Sequence, residues 1–338
     1  MLIEKRERIV MSCEKTLIII KPDGLTKKLV GLIVEKVYQY GLTITGSERI
    51  CLSKELLEEL YSEIKNKEYF IEVVNWISSA PVLILIIEGV DAVSTVKQKI
   101  IGKYPNGLRG RFSENLIKNI AHASDSVVSA QKEIRLIEPI LKRNKELSEK
   151  KLSNKIIFAL TGMSECGKST VGKYFDSKGI PRLKIVKIFE KVKDTYKPNK
   201  DVKTFTSIEE KRDPYALWDA FIEQLLAEMN ERKVNVASIE SLYGGGLGYY
   251  LKQKLGNHFH IIFIEASEEK RIKLQMIREN INDANRAKQL LLSRDRIKND
   301  SGIPQLKEIA DEIIDNSGSI NQLYEKVDKI IHKYFDLY

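Results

Sequence analysis

The sequence predicts an α/β protein of two unrelated domains: an α+β unit with an antiparallel sheet, then an α/β unit with a mostly parallel sheet. Its 338 residues exceed what one ordinary core organises. Residues 12–141 alternate apolar runs as strand, helix, strand, helix, helix, strand, helix, loop, strand, helix, the order of a split βαβ sheet. From residue 155 the pattern changes to apolar strands separated by helices, as parallel sheets require.

The elements of the first domain follow from their periodicity. TLIIIKPDG is an apolar strand running into a Lys-Pro-Asp-Gly turn, and LVGLIVEKVYQYG has helical spacing closed by Gly41. LTITGSERICL alternates as a strand, SKELLEELYSEI is a helix with a serine N-cap, and a less regular helix covers Tyr69–Ser78. PVLILIIEGV is a buried strand and DAVSTVKQKIIG a helix. The Gly/Pro loop GKYPNGLRG leads to RFSENLIKNIAHASDS and a charged helix, VSAQKEIRLIEPILKRNKEL. Residues 142–154 carry almost nothing apolar and are expected to be a linker or a solvated helix end.

The second domain, expected over 155–336, opens with the strand KIIFALT, a glycine-rich turn and a helix; VNVASIE and HIIFIEA are further strands. The turn, Gly162-Met-Ser-Glu-Cys-Gly167-Lys168-Ser169, fits G-x-x-x-x-G-K-[ST] between a strand and a helix. Glycines there let backbone N–H groups curl around phosphate oxygens, and the helix N-terminus adds positive potential. Lys168 is expected on the β/γ-phosphates, Ser169 on Mg²⁺, and Thr170 beside them in a nucleotide site.

Composition bounds the rest. Forty-three per cent hydrophobic and 30% charged residues describe a soluble globular chain. A net charge of +9 suits anionic substrates, but no aromatic-basic run points to a nucleic-acid platform, so nucleic acid is not expected as a partner. Three scattered cysteines fit no metal spacing and suit a reducing compartment. MLIEKRERIV lacks the apolar segment of a signal peptide, and Val82–Ile87 is too short to span a bilayer. The expected location is the cytoplasm, with no membrane partner.

Only four histidines occur, and His122 lies in the polar run N-I-A-H-A-S-D-S. An imidazole becomes a phosphate carrier when one ring nitrogen faces the donor and the other is held by an acceptor. Lys21 and Arg109 supply cations for such a site, Tyr61 and Asn119 uncharged donors, and Glu133 an acceptor on the next helix.

K-P-D-G at 21–24, L-V-G at 29–31, N-x-x-H-x-S-D-S at 119–126 and S-A-x-K-E-I at 129–134 resemble nucleoside diphosphate kinase over about 14–140. The resemblance implies a ferredoxin-like domain and a ping-pong transfer with Mg²⁺. In it His122 takes the γ-phosphoryl of ATP or another nucleoside triphosphate and passes it to a nucleoside diphosphate. It implies that Lys21, Tyr61, Arg109 and Asn119 contact phosphates or sugar, that Phe70 and Leu116 sandwich the base, that Glu133 orients His122, and that the chain forms a homo-oligomer, dimer or hexamer. Counting back from Gly102, Gln98, with Lys97 and Lys99 beside it, stands where the family has a phosphate-clamping arginine; the Gly102–Arg109 loop is short, with Tyr104 where a threonine is expected.

Residues 155–335 resemble P-loop nucleotide and dephospho-CoA kinases. The resemblance implies acceptor or lid roles for Arg212, Glu240, Arg271, Arg278 and Arg294, with phosphorylation of a nucleotide-like acceptor. The aspartate that such kinases carry after the loop helix has no counterpart in GIPRLKIVKIFEKV, which offers lysines there. These departures keep a second reading open, a regulatory nucleotide sensor whose two sites bind without turnover.

Overall fold

The computed structural model describes residues 13–103, 107–152, 154–196, 199–242 and 244–335; Tyr104 lies outside them. The chain divides into two compact units, one up to Asn144 with Ile208–Pro214, the other Lys145–Ser207 with the residues from Tyr215 on.

The first unit is built on β1 (Cys13–Ile20), β2 (Thr43–Ile50), β3 (Val82–Val90) and β4 (Ala121–Ala123), in the order β2-β3-β1-β4 with every pairing antiparallel. β1 pairs with β3 without interruption, from Cys13 opposite Val90 to Ile20 opposite Leu83. Leu17 to Ile20 are all excluded from solvent, which explains why these central strands read as continuous apolar runs. Leu17, Ile19, Val82 and Ile84 share one face with Leu57, Phe70, Val73 and Ile77 from the helices Lys54–Leu60 and Phe70–Ser78. Ile134 and Ile137 of the long helix Val127–Lys151 close that core.

Two local features matter. The stretch 142–154, expected as a linker or solvated helix end, is helical as far as Lys151; a charged, apolar-poor sequence loses a buried face, not the ability to continue a helix. The expected helix 91–102 begins as a short α-turn at Ala92–Ser94 and then becomes π-helical over Thr95–Ile100.

The second unit carries five strands: β5 (Ile156–Thr161), β6 (Arg182–Lys184), β7 (Val236–Glu240), β8 (Phe259–Glu265) and β9 (Glu312–Asp315). Their order is β6-β7-β5-β8-β9 and every pairing is parallel. The chain leaves β5 toward β6 and β7 on one side, then crosses to β8 and β9 on the other. The segments after β5 and β7 therefore open at the same end of the sheet, where parallel sheets form crevices. No helix among the described residues is long and apolar enough to cross a membrane.

Candidate active site

In the first unit the site is assembled around a turn. β1 ends at Ile20, and the Lys21 amide donates to the Ile120 carbonyl at 2.9 Å. Asp23, 4% exposed, accepts from the Ile120 amide at 2.6 Å and from Trp76 Nε1 at 3.0 Å. Ile120 has a φ of 68°, a left-handed conformation that β-branched residues rarely adopt. The turn therefore grips a strained residue two positions ahead of His122. Gly24 makes the approach possible, since a Cβ there would lie 2.3 Å from the Ile120 carbonyl oxygen.

His122 sits on β4 opposite Ile19, with its side chain 12% exposed. Its Nε2 lies 2.9 Å from Glu133 Oε2, and the Ser124 hydroxyl donates to the same oxygen at 2.7 Å. A carboxylate accepts, so Nε2 carries the proton and Nδ1 keeps the lone pair. Glu133 reaches back from the helix Val127–Lys151, and Ser124 fixes which rotamer it adopts. The Tyr61 ring meets the imidazole edge-on at 5.4 Å, and its buried hydroxyl has no hydrogen-bond partner among the described residues. Burial pushes that phenol above its ordinary pKa.

His122 opens on a cavity of about 280 Å³ that Lys21, Lys97, Lys103, Arg109 and Lys132 also line. Lys21 Nζ donates to Asn119 Oδ1 at 2.8 Å and to the Ile117 carbonyl at 3.3 Å. Burial, with Arg109 close by, lowers its pKa to about 7. Arg109 grips the Ala121 carbonyl through Nη2 at 2.6 Å and Nε at 3.1 Å. It reaches there because the short loop closes tightly: a Cβ on Gly107 would lie 2.1 Å from the Gly102 carbonyl oxygen.

The clamp position needs correction. Gln98 is exposed and does not line the cavity, whereas Lys97 does. The Ile101 amide bonds the Val96 carbonyl at 2.8 Å, an i→i−5 contact of the π-turn. One extra residue in that turn shifts which side chain points inward. Lys97 pairs with Asp125 and lies 3.5 Å from the Ala123 carbonyl.

The nucleoside end needs a second correction. Phe70 is 4% exposed and packed into the core with Val73 and Ile84, so it offers no face to a base. The neighbouring Tyr69 lines the cavity, with Leu116, 68% exposed, also on its lining. Asn119 lines it too, positioned by its own Nδ2 bond to the Leu116 carbonyl at 2.7 Å.

In the second unit, loop 162–169 follows β5 and leads into the helix Lys168–Ser177. Gly162 and Gly167 have φ of 135° and 103°, and Cβ atoms there would meet Ile264 O at 2.1 Å and Asn316 Nδ2 at 2.2 Å. Both positions thus require glycine. Lys168 Nζ donates to the carbonyls of Met163 at 2.7 Å and Gly162 at 3.0 Å. Lys298 donates to that Gly162 oxygen at 2.9 Å, and burial beside Lys168 lowers its pKa to about 7. The Ser169 hydroxyl donates to Glu240, which also pairs with Arg182. Glu240, the last residue of β7, thus places a carboxylate beside Ser169 at the start of the loop helix. Thr170 occupies the first turn beside Ser169.

Three of the arginines selected by sequence gather on this loop. Arg271 donates to the Ser164 carbonyl at 2.8 Å and pairs with Asp295, while Arg278 and Arg294 reach Glu165. Arg212 does not join them; it pairs with Glu209 at 2.9 Å within Ile208–Pro214. Glu165 itself, invisible in the sequence as one of four variable motif positions, has a φ of 56°. A left-handed residue other than glycine costs about 1–2 kcal/mol. Sequence reasoning also missed Asp23, Ser124 and Tyr69, although the first two lie inside motifs it singled out.

A family model described as nucleoside diphosphate kinase matches residues 14–139. The nucleoside diphosphate kinase of Saccharolobus islandicus strain L.S.2.15 is 36% identical over 132 residues, covering 37% of this chain and 95% of the relative. That of Staphylococcus epidermidis strain RP62A is 38% identical over 129 residues, covering 36% and 86%. Among solved structures, an orthorhombic crystal form of the Aquifex aeolicus nucleoside diphosphate kinase is 36% identical, covering 37% of this chain and 95% of that one, with a TM-score of 0.36.

Proposed function

The chain belongs, through residues 14–139, to the nucleoside diphosphate kinase family, and from that premise we propose that it transfers the γ-phosphoryl group of a nucleoside triphosphate to a nucleoside diphosphate through a phosphohistidine at His122. The observation that carries this reading is the His122–Glu133–Ser124 relay, with Nε2 committed to a carboxylate and the cavity ringed by cations. The Nδ1 lone pair attacks the γ-phosphorus while the bond from that phosphorus to the β,γ-bridging oxygen breaks. The nucleoside diphosphate leaves with the electron pair. The imidazolium so formed keeps its Nε2 proton against Glu133, whose charge offsets it. A second nucleoside diphosphate then attacks the phosphohistidine in the reverse sense.

Lys21, Lys97 and Arg109 are the cations for the phosphate chain, and Tyr61 and Asn119 the uncharged donors. Tyr69 and Leu116 are the contacts for the base. Divalent magnesium, when bound with the phosphates, neutralises part of their charge. Intact-protein mass measurement of the full chain after incubation with ATP tests the assignment. An added, acid-labile phosphoryl group on the wild type and none on His122→Ala is expected; an unphosphorylated wild type would sink it.

The second unit we read as a P-loop nucleotide kinase. Two obligatory glycines, the buried Lys168 and the Ser169–Glu240 pair support it. Hydroxyl and carboxylate oxygens suit Mg²⁺, which Ser169 and Glu240 would hold with substrate phosphates. A screen of nucleoside monophosphates and dephospho-CoA as acceptors, with Lys168→Ala as control, tests this half: no acceptor consumed above that control overturns it.

A further inference from the structure

We propose that Glu165 is a built-in surrogate for ligand phosphate in the second unit: it holds Arg278 and Arg294 while the loop is empty and surrenders them to the phosphate chain of a nucleoside triphosphate. This rests on the reading of loop 162–169 as a phosphate site.

The four variable positions of the loop are Met163, Ser164, Glu165 and Cys166, and only Glu165 carries charge. It does so at a left-handed φ of 56°, where glycine is free of strain and glutamate is not. Strain retained at one residue of a binding loop points to a role for its side chain. A fixed carboxylate in a loop built to collect phosphate oxygens also repels the ligand. It needs a compensating partner, and more so because its side chain is only 13% exposed.

The partners are specific. Arg278 Nη1 lies 2.6 Å from Glu165 Oε1 and Arg294 Nη1 lies 3.6 Å from the same oxygen. They come from two successive helices, Glu268–Glu279 and Ala284–Asp300, so one carboxylate oxygen joins both helices to the loop. Arg294 is steadied by Gln275 at 2.8 Å and Glu279 at 2.7 Å, whereas the Arg278 side chain is 62% exposed and has room to swing. Guanidinium groups prefer the bidentate oxygens of phosphate, and a triphosphate chain brings several charges against the single one of Glu165. The arginines are therefore held near the loop at the expense of some nucleotide affinity.

A staple reading, in which Glu165 only fastens the two helices, makes the opposite forecast. Hydrogen-exchange mass spectrometry on the full chain, titrated with ATP, separates the two because peptides covering 162–169 report on this unit alone. Glu165→Gln is expected to lower the ATP concentration at half-protection about ten-fold, equivalent to about 1.4 kcal/mol. Without nucleotide, peptides from 268–279 should exchange faster than in the wild type. Arg278→Gln added to Glu165→Gln should cancel the gain. Glu165→Gly relieves the backbone strain and should show the same tightening, which guards against a misfolded glutamine variant. If ATP protects the wild-type loop and both Glu165 variants leave the midpoint unchanged or higher, Glu165 is a staple and the phosphate reading of the loop survives. Protection in the variants alone supports the surrogate. No protection in any protein overturns the phosphate reading and this inference with it.

Discussion

Replacing Lys97 by alanine, with Gln98→Ala beside it, distinguishes a displaced phosphate clamp from a lost one. Lys97 pairs with Asp125, with side chains 30% and 66% exposed. An ion pair that open is worth about 0.2–1 kcal/mol. A charge-assisted bond to a phosphate oxygen in the partly enclosed cavity is worth about 1.5–3 kcal/mol. The difference leaves about 1–2 kcal/mol of phosphate stabilisation in Lys97, or about 5–30-fold in kcat/KM at 1.36 kcal/mol per factor of ten. Gln98, facing solvent, should change the rate less than about two-fold, within the range of ordinary surface substitutions. Lys97→Arg should keep most of the activity, since it keeps the charge. The assay is steady-state transfer from ATP to a second nucleoside diphosphate at low ionic strength. Equal losses in Lys97→Ala and Gln98→Ala, or a negligible loss in the first, would refute the assignment of the π-turn lysine to the phosphates.

Two further outcomes follow from the same geometry. Tyr69→Ala should raise the KM for nucleotide with little change in unfolding free energy, whereas Phe70→Ala should lose about 3–5 kcal/mol in denaturant titration by emptying the core; the reverse pattern would restore Phe70 to the base site. Lys21 has an ordinary pKa of 10.5 and about 7 in the fold, so the fold favours its neutral form. Stability from this group is least below pH 7 and grows as pH rises from 7 to 10.5. Nucleotide binding runs the other way, needing the charged amine: above pH 7 it should take up a proton, seen by calorimetry in buffers of differing ionisation enthalpy and diminished in Lys21→Met. Equal proton uptake in both proteins would remove Lys21 from the phosphate site.

What the sequence made legible was local in the chain. β1, the Lys-Pro-Asp-Gly turn and the His122 segment are contiguous motifs, and apolar runs marked β5, β7 and β8 of the second sheet but not the short β6 and β9. Glu133 was found because helical reach brings it back over eleven residues. The misses all depend on direction. Tyr69 and Phe70 are neighbours at a helix start whose side chains diverge, one to the cavity and one to the core, and a one-residue choice is beyond periodicity. Asp23 and Ser124 were quoted within motifs, but their work is to hold Ile120 and Glu133, partners distant in sequence. Glu240 was named from the sequence, but its partnership with Ser169 was not, because it depends on strands that are neighbours in the sheet and distant in the chain: Leu160 faces Glu240 across the β5–β7 pairing. For 142–154 the sequence left a linker and a solvated helix end both open, because a helix without an apolar stripe leaves no periodic mark; the helix runs to Lys151.

The π-turn at Thr95–Ile100 makes the cation of this site a question of phase, not of identity. Below Ile100 the helix is offset by one residue from the chain that follows it, like two rulers whose marks no longer coincide. Counted from Asp91 and counted from Gly102, the inward position is a different residue. Removing a residue of the turn ahead of Lys97 would bring the two scales into step on glutamine, and removing one after Gln98 would bring them into step on lysine, without a single substitution. The lesson extends to any position upstream of the turn: its role is set by the end of the helix from which it is measured.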